Sequence, residues 1–276
     1  MERVVTGVPG LDPLIEGGIP KGFNVVVIGH PGAGKTILSL QYLYNGALKG
    51  ENGLYITVDA DGDMIRDQGQ KLGWDIRKLE SEKKIYILEV PLNTRLRINL
   101  FGLIESKVKQ YGIKRIVFDS LSSFMFNINQ FNIQLPNIND LSELSREESS
   151  YLEEEVGIRS GSIPEAVQKL RPDPIHYETV SRQRIVYLVF RELSRLNTTN
   201  MLVASASAKK IDSTVDGVSE FACDGVISIH NELVGAKRVR TVTISKMRST
   251  NQSPYIHDME LSDKGITIKS ADVVYG

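Results

Sequence analysis

Residues Gly29-His30-Pro31-Gly32-Ala33-Gly34-Lys35-Thr36 constrain this chain more than any other stretch. Before them lies the apolar, β-branched run Asn24 to Ile28; after them Ile37, Leu38, Gln41, Tyr42 and Ala47 recur at helical spacing over Lys35 to Lys49. A strand that turns through glycines into a helix aims successive backbone N–H groups at one point, and the helix start adds the positive end of its dipole. That point suits an anion. The spacing G-x-x-x-x-G-K-[ST] narrows the anion to a nucleotide phosphate chain, with Lys35 reaching the β- and γ-phosphates and the Thr36 hydroxyl directed at Mg²⁺. The run Gly29 to Ile37 is the expected nucleotide-binding surface, with ATP and Mg²⁺ as the expected cofactors.

Short Val/Ile-rich runs recur along the chain, at Leu54 to Val58, Ile85 to Leu88, Arg115 to Phe118, Met201 to Ser205 and Gly225 to Ile229. Their length and flanking polar residues predict buried strands. Between the early ones lie helical patterns, including Ile98 to Gln110, which places Leu100, Leu103, Ile104 and Val108 on one face. Strands alternating with helices predict an α/β fold, a mainly parallel sheet covered on both faces. After Ser228 only strand patterns follow, Val239 to Ser245, Ile256 to Leu261 and Ile266 to Ile268, which predict antiparallel edge strands on the same sheet.

With 276 residues, 41% apolar and 24% charged, the chain has the composition of one large globular domain and not of a disordered segment. Its longest aliphatic or aromatic run, Ile185 to Phe190, is far too short to span a membrane. The single Cys223 excludes an internal disulfide, and His30, His176, His230 and His257 show no metal-ligand spacing. No signal-peptide core follows Met1, so the cytoplasm is the expected compartment. Tyr42, Tyr44, Phe124 and Phe126 sit in apolar patterns and are expected in the core.

Residues 127–180 interrupt the rhythm. They hold ten acidic against four basic residues, a net −6 that leaves +5 for the rest, and include an acidic helix pattern from Asp140 to Glu155. About fifty residues between a strand and its next helix exceed any ordinary loop, so this segment is expected to be a functional insertion into one domain.

The strand Ile116-Val117-Phe118-Asp119 ends in a carboxylate at the sheet edge where the phosphate loop also lies, and Asp119 is the expected holder of Mg²⁺ through water. With the loop and Asp119 placed, further segments resemble KaiC-like ATPases of the RecA superfamily. They are Thr6 to Asp12 with Gly17 to Gly22, Leu54 to Asp59 with Leu72 to Ile76, Asp119 to Ser123, Val218 to Ile227 and Lys246 to Thr250. The resemblance covers nearly the whole chain outside residues 127–180. It implies a RecA-type core assembled as a ring, a hexamer being the expected size, with ATP between subunits. It also implies that Lys246 and Arg248, the family's Lys-x-Arg pair, reach the γ-phosphate held by a neighbouring copy.

Three departures from the family pattern qualify that expectation. The catalytic position, usually Glu, falls on Asp59-Ala60-Asp61: matching from the strand selects Asp59, and matching back from Leu72-Gly73 selects Asp61. Asp59 is the residue to which we assign the attacking water, and a side chain shorter by one methylene predicts slow hydrolysis. Ala206 replaces a polar residue that senses the γ-phosphate. Glu220-Phe221 occupies the place of an autophosphorylated doublet, so autokinase activity there is not expected. The acidic insertion opposes DNA phosphates and the loop from Ala208 to Gly217 is neutral, so a recombinase-like paralogue binding DNA is the less favoured alternative to a protein partner docking on the insertion. A second alternative is a nucleotide-gated scaffold with little turnover.

Overall fold

The computed structural model describes residues 1–90, 99–128, 174–208 and 213–269, the helix start at 174–182 by its backbone alone. Strands β1 (Arg3–Val4) and β2 (Ile19–Pro20) form a small antiparallel ribbon at the entrance, with a 3₁₀ turn (Asp12–Ile15) between them. The Asp12 carboxylate folds this segment by accepting the amides of Thr6 at 2.7 Å and Gly7 at 3.0 Å.

The core is one nine-stranded sheet. Its strands are β3 (Asn24–Gly29), β4 (Gly53–Thr57), β5 (Ile85–Glu89), β6 (Arg115–Asp119), β7 (Thr199–Ser205), β8 (Gly225–Val234), β9 (Lys237–Met247), β10 (His257–Ser262) and β11 (Gly265–Lys269). Their order is β11-β10-β9-β8-β3-β7-β6-β4-β5. The six strands from β8 to β5 are parallel, and β9, β10 and β11 add antiparallel pairs at one edge. This is the mixed α/β arrangement expected from the apolar rhythm.

Burial on both faces explains why the central strands are continuously apolar. Val25, Val27, Tyr55 and Val117 face helix α1 (Lys35–Leu48), with α2 (Gly62–Lys71) and α3 (Ile76–Ser81) packed on the same layer. Val26, Ile28, Ile56 and Phe118 face α4 (Leu100–Tyr111), α5 (Leu121–Phe126) and α6 (Pro174–Ser194). The run Ile185 to Phe190 belongs to α6 and is buried throughout. A short helix, α7 (Ser219–Ala222), precedes β8.

A buried guanidinium aligns the helix and strand that later meet at the site. Arg115, at the start of β6 and 1% exposed, pairs with Glu51, donates to the carbonyls of Tyr42 at 2.8 Å and Val5 at 2.9 Å, and lies 4.5 Å from the Tyr42 ring centre. A side chain at Gly46 would collide with it, since an added Cβ would meet Arg115 at 2.3 Å. The clamp fixes α1 against β6 at one end of the sheet, and Thr36 and Asp119 occupy the other.

Two expectations change in detail. Phe126 is 74% exposed, because the six-residue α5 turns Leu121, Phe124 and Met125 to the sheet and Phe126 away from it. Strand β8 continues five residues beyond Ile229, paired there with β9 alone. The acidic helix pattern from Asp140 to Glu155, and Lys209, Lys210 and Asp212 of the loop after β7, lie outside the described residues.

Candidate nucleotide-binding site

The loop after β3 is shaped by close approach and by positive dihedrals. A side chain at Gly29 would sit 2.7 Å from the Ile229 carbonyl of the adjacent strand, and Gly34 has φ of 111°, a region that glycine enters without strain. Helix α1 starts directly after it with no side chain capping its first turn. Its leading amides are therefore available to an anion. Lys35 folds back over the loop and donates to the carbonyls of Gly29 at 2.8 Å and His30 at 3.1 Å. Burial lowers its pKa, and the nearby Asp119 charge opposes that shift.

Asp119 ends β6 as a half-buried carboxylate. Its Oδ2 accepts the Thr36 hydroxyl at 2.7 Å and the Tyr55 hydroxyl at 2.6 Å. Burial raises its pKa; the two hydrogen bonds and Lys35 counter that, while the neighbouring Asp59 adds to it. Asp59 follows β4, is exposed, and accepts the Ser120 hydroxyl at 3.1 Å. Thr36, Asp59 and Asp119 line one cleft of about 600 Å³, walled further by Met64, Gln68 and Lys71 of α2.

The two aspartates left open by the sequence have different surroundings. Asp61 caps α2, its carboxylate accepting the Asp63 amide at 2.8 Å, and does not line the cleft. Asp59 does. The cap signal, an Asp immediately before Gly62-Asp63-Met64, was present in the sequence.

Lys246 and Arg248 lie elsewhere. Lys246 pairs with Val226 near the amino end of β8, whereas Gly29 pairs with Ile229 further along that strand. The Lys246 ammonium donates to the carbonyls of Glu220 at 3.1 Å, Phe221 at 3.2 Å and Cys223 at 2.8 Å, closing the end of α7. Arg248 is 3.4 Å from Asp224, whose other oxygen accepts the Asn24 amide at 2.9 Å. Both cations thus sit at the margin of the sheet opposite the phosphate loop of their own chain.

Ala206 keeps a link to the loop without a side chain. Its amide donates to the Gly29 carbonyl at 3.2 Å, the same oxygen that Lys35 binds. Glu220 accepts the Thr214 hydroxyl and so ties the loop after β7 to α7. Tyr55 is the site residue that sequence reasoning missed, because a tyrosine in an apolar strand carries no signal beyond core packing.

The glycine loop, the carboxylate at the end of β6 and the mixed sheet together define a nucleoside-triphosphate-binding protein of the RecA type. The sequence profile described as "ATPase: KaiC" matches residues 4–141 and 167–273, and the chain belongs to that family, with its ATP-binding function. The gap in the match, 142–166, falls inside the acidic segment. A UPF0273 protein of Aeropyrum pernix is 29% identical over 99% of this chain and 96% of its own length. One from Saccharolobus solfataricus is 30% identical, over 98% and 83%. The crystal structure of a KaiC-like protein from Pyrococcus horikoshii superposes with a TM-score of 0.69 at 27% identity, over 98% of this chain and 99% of that one. Among the described residues, no helix is long and apolar enough to cross a membrane.

Proposed function

We propose that this protein binds MgATP between adjacent copies of itself in a ring, expected to be a hexamer, and hydrolyses it slowly. The observation that carries this reading is the separation just described: Lys35, Thr36, Asp59 and Asp119 gather at one margin of the sheet, and Lys246 and Arg248 at the other. A second copy would bring the two together.

The residues present fit a magnesium ion that arrives with its nucleotide. Thr36 and Asp119 offer hard oxygen donors already in mutual contact at 2.7 Å, and no cluster of three or more ligating side chains capable of holding a metal alone occurs among the described residues. Magnesium bound there, through Asp119 and its water shell, would supply charge neutralisation to the phosphates. Lys35 would exchange its bonds to the loop carbonyls for phosphate oxygens, and the amides from Gly32 to Thr36 would surround the same group. Asp59 would orient the attacking water. Lys246 and Arg248 would place positive charge on the transferring phosphoryl group of the neighbour, where such a cation acts most strongly in the transition state.

The acidic segment 127–180 is assigned to a protein partner and not to DNA, since its −6 charge opposes phosphate binding. Mass measurement in solution with ATP, ADP or no nucleotide, alongside phosphate release, tests the whole reading. Nucleotide-dependent assembly with measurable turnover is expected; a monomer that hydrolyses ATP at a concentration-independent specific rate would contradict it.

A further inference from the structure

Asp119 is held by a group that nucleotide binding does not itself require. Tyr55 lies on β4, where the register sets Thr57 against Asp119 and Tyr55 against Val117. Its side chain runs along the α1 face of the sheet, fully buried, and its hydroxyl meets Asp119 Oδ2 at 2.6 Å. Thr36 donates to the same oxygen at 2.7 Å. No donor among the described residues bonds to Oδ1.

The two donors are not equivalent. Thr36 lines the cleft, and its hydroxyl is the one the phosphate loop directs at a cation. Tyr55 does not line the cleft, and among the described residues its hydroxyl bonds to Asp119 alone. A phenol aimed at a carboxylate makes a charge-assisted bond that is short and directional. Residues that orient a metal-binding carboxylate from behind change affinity for the metal without touching it.

We infer that Tyr55 is a positioning residue for the cation half of the site: its buried hydroxyl holds Asp119 by one oxygen and leaves the other turned out for the water shell of a divalent ion. This rests on the nucleotide reading above and adds to it a specific cause of magnesium dependence. A purely structural role for Tyr55 would change stability alone.

The test compares Tyr55→Phe with Tyr42→Phe. Tyr42 is also fully buried, and its hydroxyl donates at 3.0 Å to the neutral Thr199 carbonyl, so that variant removes a buried phenol bond remote from the carboxylate. ATP binding is followed by calorimetry in EDTA and then across a magnesium titration. Tyr55→Phe is expected to bind ATP as the wild type does in EDTA and to need about tenfold more magnesium for half-saturation. Tyr42→Phe is expected to keep the wild-type magnesium requirement even where its thermal midpoint falls as far. Tyr55→Met, which fills much of the volume without a donor, is expected to behave like Tyr55→Phe and serves if that variant is unstable. A wild-type magnesium requirement in the Tyr55 variants, or an equal shift in Tyr42→Phe, would overturn the inference. Failure of the wild type to bind ATP at all would instead overturn the nucleotide reading.

Discussion

The two margins of the sheet handle charge in opposite ways. At the carboxyl ends of β3 and β6, Lys35 and Asp119 are half-buried and satisfied by groups that a ligand can replace or share: two loop carbonyls for the lysine, two hydroxyls for the aspartate. At the amino end of β8, Lys246 is spread over three carbonyls at a helix end, and Arg248, with 41% of its side chain exposed, leans on Asp224. By register Lys246 lies level with Val26 and Arg248 level with Asn24, about 10 to 17 Å along the sheet from Gly29, and the Lys246 ammonium turns further from it onto the α7 carbonyls. On the reading proposed above, the halves serve different molecules: the first would receive a ligand, and the second would be presented to one.

The largest effect is expected at the receiving margin. Lys35→Ala removes the only lysine of the loop and should abolish ATP binding in calorimetry; retained affinity would mean the loop does not hold the phosphates. Arg248→Ala should bind ATP normally yet lose about a thousandfold in phosphate release, the scale of a cation supplied across an interface. Wild-type turnover in that variant would dissolve the distinction between the margins. Asp59→Glu restores the longer carboxylate and should raise turnover by up to about a hundredfold, because placement within an ångström of the water governs the rate. A fall in rate would show that the cleft is built around the shorter side chain. Asp61→Ala should cost about 1 kcal/mol of stability through the lost helix cap, read from chemical denaturation, and leave turnover unchanged. A catalytic loss there would move the water-orienting role from Asp59 to Asp61.

The receiving margin was largely legible in the sequence because it depends on backbone. Glycines, a lysine and a threonine at fixed spacing, between a strand and a helix, specify a loop whatever the remaining core does. The sheet was legible for a related reason: strands buried on both faces are continuously apolar. Legibility stopped where neighbours end. Residues 230–234 of β8 pair with β9 but have no β3 partner, and the polar run His230-Asn231-Glu232 at their start obscured the strand. Tyr55 was hidden because its environment is made by β6 and α1, which converge on it only in the fold. The carbonyl nest around Lys246 was hidden likewise, since backbone oxygens leave no mark in a sequence. The cap signal at Asp61 was legible, but that Asp59 and not Asp61 lines the cleft shows only in the fold.

The central claim is that each site takes its loop from one copy and its cations from another. Mixing Lys35→Ala with Arg248→Ala protein tests it most directly, because each variant keeps the half that the other lacks. Single-turnover phosphate release should be near background for either variant alone and should reappear in the mixture. A mixture as inactive as its parts, formed from variants that co-assemble and beside an active wild type, would contradict the account.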